Sequence, residues 1–191
     1  MITSERLNMR ICGIDPGLRT TGWGIVRFDG NRLIWVADGM IRPDPDATMP
    51  ERLHHIRTGL AEVIKTHDPD RAAIEEIFVA KNAASALKLG MARGVAMVTL
   101  AEAGLAVDEI SARRVKQNIT GSGRADKTQV SAMISRLLNI TPSGVDAADA
   151  LAVAISASNE TGGSSHDDLA PSQDGLSQAI SAALARQGGQ R

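Results

Sequence analysis

Tyrosine is absent from this 191-residue chain, phenylalanine and tryptophan occur twice each, and cysteine once. A single cysteine excludes an intramolecular disulfide and any zinc site built from several thiolates. Cys12 itself lies in an apolar run and reads as a small buried strand residue. No uninterrupted apolar run approaches the length that spans a bilayer. The polar residues 1–8 hold no hydrophobic core of a signal peptide, so the expected location is the cytoplasm. Met9 stands directly before the first patterned residues and is a candidate start. No internal repeat is visible. Strong charge of one sign is missing too. A formal net charge of −1 gives no direct sign of a nucleic-acid partner.

The length and the 43% hydrophobic content suit one domain with a real core. The distribution of charge says more than its sum. Between Ala80 and Ile140 lie nine Lys/Arg against four Asp/Glu, an excess of five, while the flanks are acidic. A basic middle between acidic flanks is compatible with a protein that holds phosphates and metal ions, and equally with an ordinary solvated surface.

Hydrophobic period divides the chain. Residues 10–15 read as a strand closed by Pro16-Gly17. Residues 22–28 form a second, and residues 32–40 a third in which Leu33, Trp35 and Ala37 alternate. Asp29-Gly30-Asn31 has hairpin-turn chemistry, so the three strands make an antiparallel meander. The period then becomes helical over residues 51–66; His54 and His55 on that helix read as surface residues. Residues 71–75 are a fourth strand that, like the first, ends in an acid. A long helix rich in small residues covers 83–103. Residues 107–111 are a fifth strand, and 113–118 a short helical turn. A glycine-rich loop over 121–126 leads to helices over 127–138 and 145–158. Beyond Asn159 the Ser, Gly, Asp and Gln content reads as a flexible tail, with Leu176, Ile180 and Leu184 at helical spacing within it. This order predicts an α/β fold with a mixed five-stranded sheet, a meander joined to parallel strands, flanked by helices.

Two acids end strands: Asp15 and Glu75. Two more, Asp146 and Asp149, are three apart at the start of a helix and so share one face. Parallel strands offer their C-terminal ends on one sheet edge, where sites form. Four carboxylates gathered there would repel unless a cation sat among them. Hard divalent ions with oxygen ligands answer that, Mg²⁺ foremost. Two ions about 3.5–4 Å apart activate water and stabilise the leaving oxygen in phosphodiester hydrolysis. Each acid taken singly has a structural reading as well. Asp146 and Asp149 suit a helix N-terminus, and Asp15 before Pro-Gly suits a turn. Glu75 is hardest to place as structure alone, because it directly follows an apolar run.

Four segments together resemble the RuvC family of bacterial Holliday-junction resolvases, which have a ribonuclease-H-like fold. They are Gly13-Ile14-Asp15-Pro16-Gly17 with Thr21-Gly22-Trp23-Gly24; Ala73-Ile74-Glu75 running through Phe78-Val79-Ala80-Lys81-Asn82 and Ser85-Ala86-Leu87-Lys88-Leu89-Gly90; Arg113 with Val115-Lys116-Gln117, Gly121, Gly123 and Lys127; and Asp146-Ala147-Ala148-Asp149-Ala150-Leu151-Ala152. The resemblance spans about residues 9–158, leaving 1–8 as an N-terminal extension and 159–191 as the tail. It implies a homodimeric endonuclease that nicks four-way DNA junctions symmetrically, leaving 5′-phosphate and 3′-hydroxyl ends. It further implies Asp15, Glu75, Asp146 and Asp149 as metal-binding catalytic acids for two Mg²⁺ ions per site, with Mn²⁺ able to substitute. Lys116 and Lys127 match basic positions near the scissile phosphate, and Phe78 an aromatic that stacks on junction bases. Trp23 stands where many members carry Tyr. A branch-migration motor complex of RuvA–RuvB type is the implied partner, and the long helix from Ala83 the implied dimer element.

The residues support that reading independently. A junction resolvase reads branch shape, so phosphate contacts dominate its affinity. Lys81, Lys88, Arg93, Arg113, Arg114 and Arg124 are candidates beside the two lysines. Phe78, just past the Glu75 strand, is placed either as a wedge between bases or as a core ring. Lys127 opens a helix, where a cation is poorly placed for the helix dipole, so it is either a ligand contact or a solvated lysine. Two alternatives compete: a non-cleaving branched-DNA-binding protein of the same fold, and a nucleotide-binding loop of the sugar-kinase and chaperone ATPase type. The latter needs a second similar domain, for which this chain is too short.

Overall fold

The computed structural model describes residues 7–29, 32–76 and 82–160. Packing divides the chain into two units, Met1–Glu160 and Thr161–Arg191. In chain order the elements are β1 (Leu7–Asp15), β2 (Thr21–Asp29), β3 (Arg32–Ile41), α1 (Met49–His67), β4 (Arg71–Glu75), α2 (Ala83–Glu102), β5 (Ala106–Ile110), α3 (Ala112–Thr120), α4 (Lys127–Leu138) and α5 (Val145–Glu160). The expected elements are present in the expected order, and α3 is a full helix of nine residues rather than a turn.

The sheet runs β3-β2-β1-β4-β5. β1 pairs antiparallel with β2 and parallel with β4, and β4 pairs parallel with β5. Side chains alternate across a strand, so each strand serves two cores. Ile11 of β1, Val26 of β2, Ala73 of β4 and Ile110 of β5 join buried residues of α3, α4 and α5. Cys12 and Ile14 of β1, Ile25 of β2 and Ile74 of β4 join those of α1 and α2. Cys12 is fully buried, as its apolar neighbours imply, and burial pushes its thiol up to about 12.

Glycines bring α5 onto the sheet. A Cβ at Gly13 would lie 2.1 Å from the Ala150 carbonyl oxygen, and one at Gly22 2.0 Å from that of Asp146. At Gly24 it would meet Leu151 at 2.7 Å. Gly22, which opens the expected second strand, is paired with Asp15. Its missing side chain is filled by helix backbone.

Two expectations change. The alternation of Leu33, Trp35 and Ala37 is broken: Leu33 and Trp35 pair with Phe28 and Val26, and a register shift sets Ala37 opposite Ile25. Trp35 is exposed, with its Nε1 donating to Asp38 Oδ1. Second, α2 is long and apolar enough, on length and composition, to cross a membrane. Lys88 and Arg93 interrupt its apolar runs without cancelling its average. One side of it, with Ala92, Ala96 and Leu100, is core. The hairpin residues Gly30 and Asn31, Phe78, Lys81 and the tail helix pattern lie outside the described residues.

Candidate active site

Register explains why two acids meet. Ile14 of β1 pairs with Ile74 of β4, so the next residues, Asp15 and Glu75, end neighbouring parallel strands together. Both have the parity of Gly13 and Ala73 and face α3, α4 and α5. The chain after Asp15 is fixed by a short network. Thr21 Oγ1 donates to the Gly17 carbonyl oxygen at 2.8 Å, and Arg52 Nη2 to that of Leu18 at 2.9 Å. Glu75 is pinned through its backbone: its carbonyl accepts from Arg93 Nε at 3.2 Å.

α5 supplies Asp146 and Asp149. The loop before it docks on β3, where Ser143 N donates to Asp38 Oδ2 at 2.7 Å. α4 supplies Lys127 at its first position. The preceding loop is clamped by one side chain: Gln117 Nε2 donates to the Gly121 carbonyl oxygen at 2.8 Å, and its Oε1 accepts from Gly123 N at 2.9 Å. Asp126 and Gln129 then form a capping box. Lys127 Nζ donates to Asp149 Oδ2 at 2.8 Å, joining positions 22 residues apart.

Charge marks this as one site. Burial pushes the Asp15 carboxyl up to about 7, with Glu75, Asp149 and Asp146 adding to the rise and Lys127 opposing it. Burial also raises Glu75, helped by Asp149 and countered by Lys127 and Lys116. The hydrogen bond to Asp149 holds Lys127 above the ordinary lysine value, overcoming its partial desolvation. A cavity of about 70 Å³ is lined by Glu75, Lys116, Lys127 and Asp149 over a floor of Val115, Val130 and Val153.

The four acids thus share one region. Among the described residues, however, no three His, Cys, Asp or Glu side chains are drawn together as a metal cage. Like charges repel at close range, and the cations that oppose the rise of Asp15 and Glu75 are Lys127 and Lys116. The donor chemistry still fits a hard divalent ion. Every acid offers oxygen, and burial first, then the neighbouring acids, displaces two of the carboxyls upward, a cost that a bound cation would offset.

The remaining candidates divide. Lys88, Arg113 and Arg124 are exposed. Arg114 is also exposed, near the start of α3. Arg93, expected as a DNA contact, has partners within the protein. Its guanidinium is committed to the Glu75 carbonyl, to Glu109 and, at 3.2 Å, to Met97 Sδ. Its role here is to hold the end of β4. Two residues escaped sequence reading: Gln117, whose clamp depends on a loop four to six residues on, and Arg52, whose helix position resembles any surface arginine.

Comparison with known proteins decides the family. The family model for crossover junction endodeoxyribonuclease RuvC matches residues 11–157. This chain belongs to the RuvC family. The crossover junction endodeoxyribonuclease RuvC of Maricaulis maris (strain MCS10) is 53% identical over 149 residues, covering 78% of this chain and 90% of that protein. The RuvC protein of Azorhizobium caulinodans is 52% identical over 155 residues, covering 81% and 92%. Among solved structures, T. thermophilus RuvC in complex with Holliday junction substrate superposes with a TM-score of 0.73 at 32% identity, covering 78% of this chain and 92% of that one. The fold is therefore ribonuclease-H-like, as the RuvC resemblance implied.

Proposed function

We propose that this RuvC-family endonuclease resolves four-way DNA junctions by metal-dependent hydrolysis, with Asp15, Glu75, Asp146 and Asp149 holding the metal. The observation that carries the reading is the register that ends β1 and β4 together in Asp15 and Glu75, where burial and the neighbouring Glu75, Asp149 and Asp146 push the Asp15 carboxyl up. Mg²⁺, two ions per site, suits the all-oxygen donors, and Mn²⁺ substitutes. When bound, such ions supply a water nucleophile and stabilise the charge on the leaving oxygen.

The chain's own residues do the rest. The reaction joins a water oxygen to phosphorus and breaks the P–O3′ bond, leaving 5′-phosphate and 3′-hydroxyl ends. Asp15 and Glu75, fixed by β1 and β4, would hold the metal at the sheet edge, where it would meet the reacting phosphate. Lys127 stays protonated through neutral pH because its ammonium is held by Asp149. Its charge offsets what builds on the phosphoryl oxygens. Lys116, on the same cavity wall, adds a second positive charge. Lys88, Arg113, Arg114 and Arg124 extend the contact along the DNA backbone.

A symmetric junction calls for two active sites, hence a homodimer. On α2, Leu87, Met91 and Val98 are 61%, 39% and 55% exposed along one stripe, and a Cβ at Gly90 or Gly94 would meet nothing. That face suits a second copy of this chain. With DNA as substrate, the work is cytoplasmic.

The test compares a synthetic four-way junction with linear duplex of the same sequence, with and without divalent metal. Paired, ligatable nicks on the junction that vanish in EDTA are expected. Tight junction binding without any metal-dependent cleavage would favour the non-cleaving alternative.

A further inference from the structure

Across the first turn of α5 from the lysine cavity lies a second, larger cleft. It measures about 560 Å³ and runs between the loop after β1, the start of α1 and the first turns of α2. Arg19, Arg52 and Lys88 line it, and its only acid among the described residues is Asp146. We propose that this cleft holds a backbone phosphate of the cleaved DNA strand, on the far side of the catalytic acids from Lys116 and Lys127. The proposal deepens the resolvase reading and rests on it.

The placement of the acids is the first argument. Asp146 and Asp149 stand three apart on one helix, yet they open on different cavities. Asp149 faces the one with Lys116 and Lys127; Asp146 faces the one with Arg19, Arg52 and Lys88. A strand presented to the acids carries a charge at every nucleotide, so it needs cations on both sides of the reacting phosphate. The lysine cavity supplies one side only.

The state of the cations is the second argument. Arg19 and Lys88 are exposed, and neither has an ion-pair partner among the described residues. Arg52 is half-built into the protein. Its Nη2 anchors the Leu18 carbonyl, while its Nε is buried without a hydrogen-bond partner. Its positive charge lies on the cleft wall, and guanidinium N–H groups are charge-assisted donors to a phosphate oxygen. Three cations against one acid leave the cleft positive. Leu18 and Leu89 add apolar wall against which a deoxyribose lies.

A third point ties the cleft to the chemistry. Arg52 holds the loop that follows Asp15. A phosphate drawn onto Arg52 therefore sits against the segment that fixes the first catalytic acid. Occupying the cleft sets the register of the strand as well as adding affinity.

The experiment uses the full chain and a four-way junction in metal-free buffer, where binding is read without cleavage. The double variant Arg19→Ala/Lys88→Ala removes the two exposed cations without breaking any hydrogen bond or ion pair described for the fold. The slope of log K against log[salt] is expected to become shallower by about 0.9 for each phosphate that is no longer neutralised. A scan replacing single phosphates of the cleaved strand by neutral methylphosphonate locates the contact. The wild type should lose affinity at one or two positions on one side of the scissile phosphate, and the double variant should be blind to those same replacements. Arg52→Lys, which keeps the charge but forfeits the directed N–H, should fall between the two. An unchanged salt slope together with an unaltered methylphosphonate profile would overturn the proposal. So would free inorganic phosphate protecting the cleft while the scan stays flat, since that marks a small-anion site and not a strand contact. These readouts stand apart from catalysis. A wild type that never cuts a junction would sink the resolvase reading while leaving the phosphate scan to be judged by itself.

Discussion

On β1, alternate residues belong to different machines. Cys12 and Ile14 face α1 and α2 in a core of apolar side chains, while Ile11, Gly13 and Asp15 face α3, α4 and α5. The first face is filled by side chains and stabilises the fold in the ordinary way. The second has a side-chain core as well, but toward Asp15 it closes on glycines: α5 rests where Gly13, Gly22 and Gly24 have no Cβ. That close approach brings α5 and its two acids to the ends of β1 and β4. The functional face carries charge that the other face must offset. Ile14 and Asp15, neighbours on one strand, thus contribute with opposite sign to stability.

Removing the central acid should separate the faces most sharply. Asp15→Asn is expected to lower metal-dependent junction cleavage at least about a thousandfold, ~4 kcal/mol in barrier, with junction binding largely kept. Cleavage near the wild-type rate would break the metal assignment. The same variant has a stability signature. An unfolded Asp carboxyl titrates at 3.8 and this folded one at about 7. Between those values the folded state holds a proton that the unfolded state has lost. The stabilisation is therefore present at acid pH and is lost as pH rises toward 7, by up to ~4 kcal/mol. Metal-free Asp15→Asn should melt above metal-free wild type at pH 7.5, the gap closing by pH 4.

Next in size comes the glycine contact. Gly22→Ala forces a Cβ against the Asp146 carbonyl oxygen, 2.0 Å away. A loss of about 3 kcal/mol in chemical denaturation is expected, with cleavage impaired even in molecules that remain folded. A neutral result would show that α5 shifts freely on the sheet. Lys127→Ala should lower single-turnover cleavage about a hundredfold while changing junction affinity far less. Equal losses in both would make it a simple phosphate contact. Smallest is the change on the other face. Cys12→Ala should cost about 1 kcal/mol and leave cleavage as it is, and any larger catalytic effect would mean that the two faces are coupled.

Much of this arrangement was legible in the sequence where local pattern sufficed. Strand period put Asp15 and Glu75 at strand ends, and spacing put Asp146 and Asp149 on one helix face. Where an outcome depends on a distant partner, the sequence is silent. Arg93 looks like any exposed helix cation until Glu109, 16 residues on, and the Glu75 carbonyl claim it. Gly22 reads only as the start of a strand, since nothing local reveals the helix that will lie on it. Lys127 carries no sign of Asp149, and Arg52 none of the loop it holds. The stripe expected through Trp35 fails for a related reason: register shifts arise from pairing between strands, which one strand's period does not encode.

The glycine seat of α5 also bears on how this enzyme tolerates change. Because Gly13 and Gly22 meet the helix through main-chain atoms, its depth at the Asp15 end of the sheet does not depend on side-chain shape at those two points. Residues on the opposite face can be exchanged, and the hydrophobic volume there redistributed, while the separation between α5 and the ends of β1 and β4 stays fixed. The catalytic spacing is thereby insulated from drift in the core, at the cost of three positions that accept almost no substitution.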